Sequence, residues 1–478
     1  MTLASTTSAP FRPPAPKPHD GPIGTLATIY TLWRNPLEVW TRAHYERPIL
    51  IGRTVLGVRA VVNDPDAVRR VFLDNVANYR KDALQLRVLR PGLGTGLLTA
   101  DGEDWRVQRR ALAPLFSPRQ VADFAPAMHR VARAAAARYA AARDGRVSDV
   151  AVDMARVTLE VLEQTLFSQG LARGAEAFQQ AVTRYFETFG RLDPLDLVGA
   201  PSFLPRLWRL RGGATLRFFQ KAVDDIIAAR KTLIASGASA PNDLLTLLLR
   251  AQDPQTGRAI SEEDVRANIV TFIGAGHETT ANALTWTLYL LSQAPQWRER
   301  AETEVDAAFD PESSADPGDS LPVVKAVLEE ALRLYPPAAF LSREAIAEDW
   351  LAGERVPAGT IVTVAPFVLH RHRQLWKDPD AFDPERFLGE NRERIDRYAY
   401  IPFGAGPRVC IGMSFAMQEA VIVLAHLIRA LRFDLAPGHV VAPIQRVTLR
   451  PRYGMKMIVR RRALEPRRHG ENFSAKTV

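Results

Sequence analysis

The chain has 478 residues, and its 62 Lys and Arg against 53 Asp and Glu give a formal charge of +9. Its single cysteine, Cys410, excludes an intramolecular disulfide, a zinc site built on several thiolates and a four-cysteine iron–sulfur cluster. Basic and acidic residues are interleaved without a basic and aromatic stripe, so we expect no nucleic-acid binding. No apolar run reaches a membrane span and no secretory signal is visible, so we expect a cytoplasmic protein.

The two ends of the chain differ from its body in composition. Residues 1–22 are rich in Ser, Thr, Ala and Pro, which predicts a disordered N-terminal arm. Residues 461–478 are basic and polar and are predicted to form a solvated tail. No internal repeat or composition break divides residues 23–460, so we predict one large domain.

The body is predicted to be mainly α-helical with a small β part. Between about 60 and 335, Ala- and Arg-rich runs such as 121–143 carry apolar residues at helical spacing. Residues 351–364 read as short strands around a Pro-Ala-Gly turn. A further helix from about 412 to 430 precedes strand-like segments.

The longest predicted helix runs from about Ser261 to Gln293. Ser261 is a good N-cap, acidic residues at 262–264 suit the helix dipole, and Pro295 ends the pattern. Such a helix is about 48 Å long and must cross the molecule. Its middle, residues 274–280, contains two glycines, an acid and alcohols, which cost helix stability. Close helix packing through small residues and a functional role both explain that segment.

A glycine-rich turn at residues 403–412 delivers Cys410 to the start of the next predicted helix. The amides at a helix N-terminus favour the thiolate, so we expect a lowered thiol pKa. Phe403 would shield the sulfur and Arg408 would offer a guanidinium fork to a carboxylate. A lone cysteine is more often an inert buried residue, but the flanking residues here agree on a functional one.

Residues 403–412, Phe-x-x-Gly-x-Arg-x-Cys-x-Gly, resemble the haem-binding loop of the cytochrome P-450 family, of the soluble bacterial type. Three further motifs fall in the order of that family. They are the segment at 275–280 that resembles its oxygen-binding helix, Glu-x-x-Arg at 330–333, and Pro-Glu-Arg-Phe at 384–387. The resemblance covers roughly residues 36–460.

The resemblance implies a single mainly α domain that holds haem b between the long central helix and the cysteine loop. It implies a monooxygenase that activates O2 to oxidise a hydrophobic small molecule such as a fatty acid, terpenoid, steroid or aromatic. Cys410 would be the iron ligand, and a thiolate favours cleavage of the oxygen–oxygen bond. Glu278 and Thr279 would manage protons at a kinked helix, although a helical threonine also commonly bonds the carbonyl of the preceding turn.

The resemblance also assigns further positions. Glu330, Arg333 and Arg386 would form a structural ion-pair cluster behind the haem. The expected cofactor contacts, several of them partners of the haem propionates, are Cys410, Trp105, Arg109, Arg343, Arg408, Phe403, Gly404, Gly412, Ala275 and Gly276.

The substrate pocket is predicted from apolar segments at 83–89, near 180–205, at Phe272 and Ile273, and at 338–341. Arg87 could anchor a carboxylate or face solvent. The glycine-rich stretch 91–96 superficially resembles a phosphate-binding loop, but it lacks the strand–turn–helix context. By the resemblance it would be a flexible loop over the pocket.

Electrons would come from a separate ferredoxin or flavodoxin with its NAD(P)H reductase. A basic face near Arg408 would steer such acidic carriers, and we expect a monomer. Two other functions stay open: a peroxide-using or non-redox haem-thiolate enzyme, and a haem-based ligand-binding protein. Enzymes of the first kind usually lack an acid–alcohol pair, so Glu278 and Thr279 argue against that function. A ligand-binding protein would need no proton relay.

Overall fold

The computed structural model describes residues 10–54, 57–168, 195, 207–309 and 321–463. Its α-helices are α1 (Thr25–Arg34), α2 (Pro65–Arg69), α3 (Ala83–Leu93), α4 (Gly102–Leu112), α5 (Pro118–Ala122), α6 (Ala125–Ala141), α7 (Val150–Leu162), α8 (Leu207–Ala235), α9 (Leu244–Leu249), α10 (Glu262–Gln293), α11 (Pro295–Ala308), α12 (Pro322–Leu334), α13 (Pro366–Leu369), α14 (Gly389–Glu393) and α15 (Met413–Ala430). Its strands are β1 (Ile49–Thr54), β2 (Gly57–Val62), β3 (Tyr79–Lys81), β4 (Arg146–Asp149), β5 (Leu341–Ala345), β6 (Asp349–Leu351), β7 (Glu354–Val356), β8 (Ile361–Val364), β9 (Leu431–Leu435), β10 (Pro443–Gln445), β11 (Leu449–Pro451) and β12 (Lys456–Arg461).

The predicted α-rich architecture with a small β part is confirmed, but the β part includes more of the chain than the sequence suggests. The main sheet has strand order β1-β2-β8-β5-β3, with β2 and β8 parallel and the other pairs antiparallel. Strands β1 to β3 lie before or inside a region whose pattern predicts helix. They are short; β1 pairs with β2, whereas β2 and β3 pair with strands of residues 341–364, so long-range pairing rather than local propensity decides the structure of β2 and β3.

Helix α10 has the bounds that the sequence predicts. The Ser261 hydroxyl accepts the Asp264 amide at 3.1 Å, and Pro295 begins the next helix. The 32 residues of α10 pack against α7, α12 and α15, so the helix crosses the core. The kink expected at Ala275 and Gly276 does not interrupt α10, which is α-helical throughout.

Helix α15 follows the cysteine loop and packs against α6, α10, α11 and α12. Among the described residues it is the one helix long and apolar enough to cross a membrane, with a mean hydropathy of 1.3. Within the protein, 56% of this stretch is buried. Its composition is therefore also that of a core helix, which the packing shows it to be.

The N-terminal arm is not a free chain from Pro10 onward, which corrects the prediction of disorder for that part. The Phe11 carbonyl accepts the Phe382 amide at 2.8 Å, and the Pro14 carbonyl accepts the Tyr335 hydroxyl at 2.8 Å. The His19 amide donates to the Trp40 carbonyl at 2.9 Å. The carbonyls of an extended proline-rich segment have no partners within the segment. They therefore accept hydrogen bonds from donors in the rest of the domain. Residues 1–9 lie outside the described part.

The start of the predicted basic tail also belongs to the folded domain. Strand β12 extends to Arg461, and Arg462 is nearly buried beside Asp306, with Nη2 to Oδ2 at 2.8 Å. This ion pair explains why the boundary lies later than composition suggests. Residues 464–478 lie outside the described part.

The glycine-rich stretch 91–96 serves packing rather than phosphate binding. Gly94 ends α3 with a φ of +65°, a backbone conformation that favours glycine. A Cβ on Gly96 would lie 2.7 Å from the Ala267 carbonyl of α10. The Leu97 amide donates to the Asn268 side chain at 2.9 Å, so this stretch is held against α10 rather than being free over a pocket.

Candidate haem site

The turn that carries Cys410 requires glycine for steric reasons. Gly404 and Gly406 have φ angles of +74° and +68°. A Cβ on Gly406 would lie 1.8 Å from the Phe72 carbonyl, so this glycine admits a neighbouring backbone. A Cβ on Gly412, in contrast, would meet no described atom within 4 Å. Gly412 therefore leaves room for a bulky group next to the cysteine.

The Cys410 thiol faces an interior space. Its amide donates to the Phe403 carbonyl at 2.9 Å, which fixes the turn. The residue is accessible to solvent, although enough protein is packed around it for burial to raise the pKa of its thiol. We interpret the two facts together as a sulfur that lines an internal space rather than the outer surface.

The expected lowering of the thiol pKa is wrong for the protein by itself. Burial raises the pKa of Cys410, while the Gly412 amide and the Arg109 charge lower it by less. The sequence placed Cys410 at the helix start, but α15 begins at Met413 and Gly412 is its N-cap. Only one helix-terminal amide reaches the sulfur, so desolvation dominates.

Helix α4 supplies Trp105 and Arg109, which stand four residues apart on one face. Arg109 Nη1 donates to the Val409 carbonyl at 3.0 Å, next to the cysteine. Burial lowers the pKa of Arg109 and the Cys410 thiolate charge opposes this. The Arg408 guanidinium lies over the Trp105 ring, with its Cζ 4.7 Å from the ring centroid.

Arg408 and Arg343 complete a buried group of cations beside the cysteine loop. Arg408 Nη2 donates to the Asp101 carboxylate, whereas its buried Nη1 has no hydrogen-bond partner among the described residues. Arg343 Nη1 donates to the Ser342 carbonyl at 2.8 Å. Burial, and then the Arg408 charge, lowers the pKa of Arg343 to about 10. Because Arg408 points inward, it does not belong to the basic surface that the sequence predicted around it.

Two members of this group were missed by the sequence reasoning. Asp101 caps α4 and accepts the Lys81 and Gly102 amides at 3.1 and 3.0 Å. The Lys81 ammonium donates to three carbonyls, of Leu97, Leu98 and Ala100. Burial and then Arg408 lower the pKa of Lys81 to about 7. Asp101 could have been predicted as an N-cap, because an acid stands directly before the first residues of the helix. No sequence pattern predicts the position of Lys81.

The arrangement fits a large dianionic cofactor. Arg408, Arg343 and Lys81 lie around one carboxylate, Asp101, and Arg109 lies beside the cysteine turn. One buried donor of Arg408 has no hydrogen-bond partner among the described residues. Buried positive charge in excess is stable only when an anion accompanies it. The two propionates of a haem would supply that anion, and Cys410 would supply one ligand to its iron.

On the long helix, Ala275 is exposed, whereas Ile273 and His277, two residues before and after it, are buried. The Thr279 hydroxyl donates to the Ala275 carbonyl at 2.5 Å, the ordinary contact that the sequence left as an alternative. Its lone pairs remain free to accept a hydrogen bond. A Cβ on Gly276 would meet the Leu162 side chain of α7 at 3.3 Å. Gly276 therefore serves helix packing.

Glu278 has a partner that the sequence does not reveal. Its Oε1 lies 3.5 Å from Nη1 of Arg450, on strand β11. The Glu278 side chain is 16% exposed and that of Arg450 is 40% exposed. The acid thus lies at a boundary between the interior and solvent.

The three residues expected to form a structural cluster do come together. Both Glu330 oxygens accept from Arg333, at 2.6 and 2.8 Å, and both side chains are fully buried. Arg386 Nε lies 3.6 Å from Glu330 Oε1. Arg333 also donates to three backbone carbonyls, of His370, Pro379 and Ala381.

The predicted pocket segments are only partly described. Phe272 lies seven residues before Thr279, on the same face of α10, and contacts Phe116 edge-on at 5.2 Å between ring centroids. Leu341 lies 3.8 Å from the position of a Cβ on Gly404, at the cysteine turn. The segment near 180–205 lies outside the described residues, apart from Leu195.

Comparisons with known proteins agree with this geometry. A sequence model of the family described as Cytochrome P450 matches residues 19–459. Cyclooctat-9-en-7-ol 5-monooxygenase of Streptomyces melanosporofaciens is 31% identical over 439 residues, 92% of this chain and 94% of that protein. A cytokinin hydroxylase of Arabidopsis thaliana is 30% identical over 431 residues, 88% of this chain and 82% of that protein.

Among solved structures, the haem domain of cytochrome P450DA is similar, with a TM-score of 0.80 at 26% identity. The similarity covers 95% of this chain and 98% of that one. The chain therefore belongs to the cytochrome P450 family. It is a haem-dependent monooxygenase, an oxidoreductase with the fold that the sequence predicts.

Proposed function

We propose that this protein is a haem b-thiolate monooxygenase in which Cys410 is the iron ligand and a hydrophobic small molecule is oxidised. One observation carries this assignment: the sole cysteine, accessible although protein is packed around it, lies beside a buried cation cluster in which an Arg408 donor has no partner among the described residues. A thiolate ligand and propionate partners are both needed at such a site, and this arrangement supplies both.

The residues that would hold the cofactor follow from the geometry. Arg408, Arg343, Arg109 and Trp105 surround the propionate side, while Phe403 shields the cysteine turn. Bound haem supplies the reductive activation of O2 that inserts one oxygen atom into the substrate and releases the other as water. The thiolate charge of Cys410 is stabilised by the Gly412 amide and Arg109.

Proton supply is the task of Thr279 and Glu278. When the Thr279 hydroxyl turns from the Ala275 carbonyl, it can donate to the pocket side of α10. Glu278, at the boundary with solvent, can take a proton from water and pass it inward. This pair favours oxygen activation over a ligand-binding role, which needs no proton path.

The proposed substrate is hydrophobic, with a terpenoid alcohol or a similar ring system as the first choice. Apolar groups on α10, with Phe272 against Phe116, support this class. The name of the Streptomyces relative indicates an apolar ring alcohol as its substrate. Aromatics, steroids and fatty acids belong in the same test panel.

The electron donor, oligomeric state and location complete the proposal. Cys410 is the single cysteine, so this chain cannot itself hold a four-cysteine cluster. We propose a separate ferredoxin or flavodoxin with an NAD(P)H reductase, a monomeric enzyme and a cytoplasmic location. The donor surface would be formed by basic residues other than Arg408.

The test combines spectroscopy with turnover. The reduced protein with carbon monoxide is expected to show the red-shifted band of a thiolate ligand, and Cys410→Ser is expected to lose it. With a surrogate ferredoxin system, ligands that shift the iron spin state should raise NADH consumption and yield oxygenated product. Retention of the band in Cys410→Ser would contradict the ligand assignment. Ligand binding without O2-dependent product would favour the ligand-binding alternative.

A further inference from the structure

Glu278, the proposed proton donor, is paired with a cation from a distant part of the chain. Glu278 lies on α10, whereas Arg450 lies on β11, 172 residues later, and the two approach to 3.5 Å. No local sequence rule places them together. The pair forms only because the β10–β11 hairpin is packed against the middle of α10.

The hairpin is anchored at the two residues that directly precede Arg450. Asn282, one turn beyond Glu278 on α10, donates to the Thr448 hydroxyl at 3.0 Å. The Leu449 amide donates to the Pro337 carbonyl at 2.9 Å. Across the hairpin, Ile444 pairs with Arg450 in antiparallel register. The backbone of Arg450 is therefore fixed relative to α10, and its side chain is directed by that position.

The other hairpin strand is anchored to the N-terminal segment. The buried Asn35 side chain donates to the Pro443 carbonyl at 3.2 Å and accepts the Gln445 amide at 3.1 Å. Three segments that are far apart in sequence thus hold one cation over Glu278.

We propose that Arg450 is a positioning residue for proton delivery, which rests on the proposed function of Glu278. Arg450 holds the ionised Glu278 carboxylate at the solvent boundary, away from Thr279. When the carboxylate takes a proton from water, the charge that binds it to Arg450 is lost. The neutral carboxyl group then turns inward and gives its proton to the Thr279 side, and the carboxylate returns to Arg450.

The pairing thereby separates the uptake of a proton from its delivery. An ionised Glu278 without Arg450 would have no fixed orientation at the boundary, so fewer protonated conformers would reach Thr279. The effect acts through Glu278 alone and does not involve substrate contacts. Substrate binding should therefore be independent of Arg450.

The experiment compares Arg450→Gln, Arg450→Lys, Glu278→Gln and the double variant in the haem-loaded enzyme. Arg452→Gln is the matched control, because it removes an exposed charge two residues further on. For Arg450→Gln we expect kcat to fall about fivefold, the size of a partly exposed ion pair. KM for substrate should be unchanged, the solvent isotope effect on kcat larger, and Arg450→Lys should restore most of the rate.

The double variant distinguishes the role of Arg450 from the role of Glu278. If Arg450 acts through Glu278, the double variant is no slower than Glu278→Gln alone. A normal rate and isotope effect in Glu278→Gln would overturn the proposed role of Glu278. If Glu278→Gln is slow but Arg450→Gln has the same rate and isotope effect as Arg452→Gln, only the positioning role of Arg450 is overturned. If Arg450→Gln does not load haem, the isotope effect of Arg450→Lys decides, and a value equal to that of Arg452→Gln refutes the proposal.

Discussion

Replacement of Glu330 by alanine tests the buried ion-pair cluster most directly. The Glu330 carboxylate accepts from Arg333 Nε and Nη2 and from the Asp383 amide, all within 2.6 to 2.8 Å. It is the counter-charge of a fully buried Arg333. Its loss leaves that guanidinium with three carbonyl acceptors but no anion in contact.

The expected magnitude follows from removing one partner of a buried pair. Such a change costs about 3–5 kcal/mol, because the remaining charge is neither solvated nor paired. Native proteins have free energies of unfolding of about 5–15 kcal/mol. Glu330→Ala should therefore lose about a fifth or more of the free energy of unfolding. Because Arg333 also fixes the 379–381 backbone, we expect no stable haem-loaded protein.

Haem content and the midpoint of urea unfolding measure this effect. Glu329→Ala is the matched control on the same helix, because its partner Arg392 is 40% exposed. That variant should lose about 1 kcal/mol or less. Glu330→Gln, which keeps an acceptor of the same shape, should fall between the two. Equal haem content and equal midpoints in Glu330→Ala and Glu329→Ala would refute the reasoning.

Three further predictions concern protons, the turn and pH. Thr279→Ala should divert electrons from product to hydrogen peroxide; unchanged product per NADH would contradict its role. Gly406→Ala should lower haem content sharply, because its Cβ would lie 1.8 Å from the Phe72 carbonyl, whereas Gly52→Ala, with open space, should not. The pKa of His426 is lowered to about 4 by burial, then by His129 and Arg133, so the unfolded chain takes up its proton first. Stability should fall as pH drops from about 6.5 towards 4, with a slope reduced by about one proton in His426→Phe, and equal slopes would exclude this contribution.

Much of the site could be predicted because its candidate functional residues lie in short continuous segments of the sequence. Residues 403–412 contain the proposed iron ligand and its turn, and the acid–alcohol pair lies in adjacent positions of α10. The ends of α10 were also correct, since an N-cap serine and a terminating proline act locally. The functional roles of these residues remain predictions, whereas the family is established.

The errors share a physical cause. Disorder was predicted for the arm from composition, but the carbonyls of Phe11 and Pro14 find donors on distant segments. The thiol pKa was expected to be low, but burial of Cys410 dominates. In each case an interaction with a remote residue decided the outcome.

The sequence by itself determined the family and the long helix and located the cysteine loop and the acid–alcohol pair, because each depends on residues that are close together in the chain. Only the tertiary structure decided which charges meet. Arg408 meets Asp101 across 307 residues, and Glu278 meets Arg450 across 172. Electrostatic partners are selected by distance in space, and folding sets that distance through packing of the whole chain.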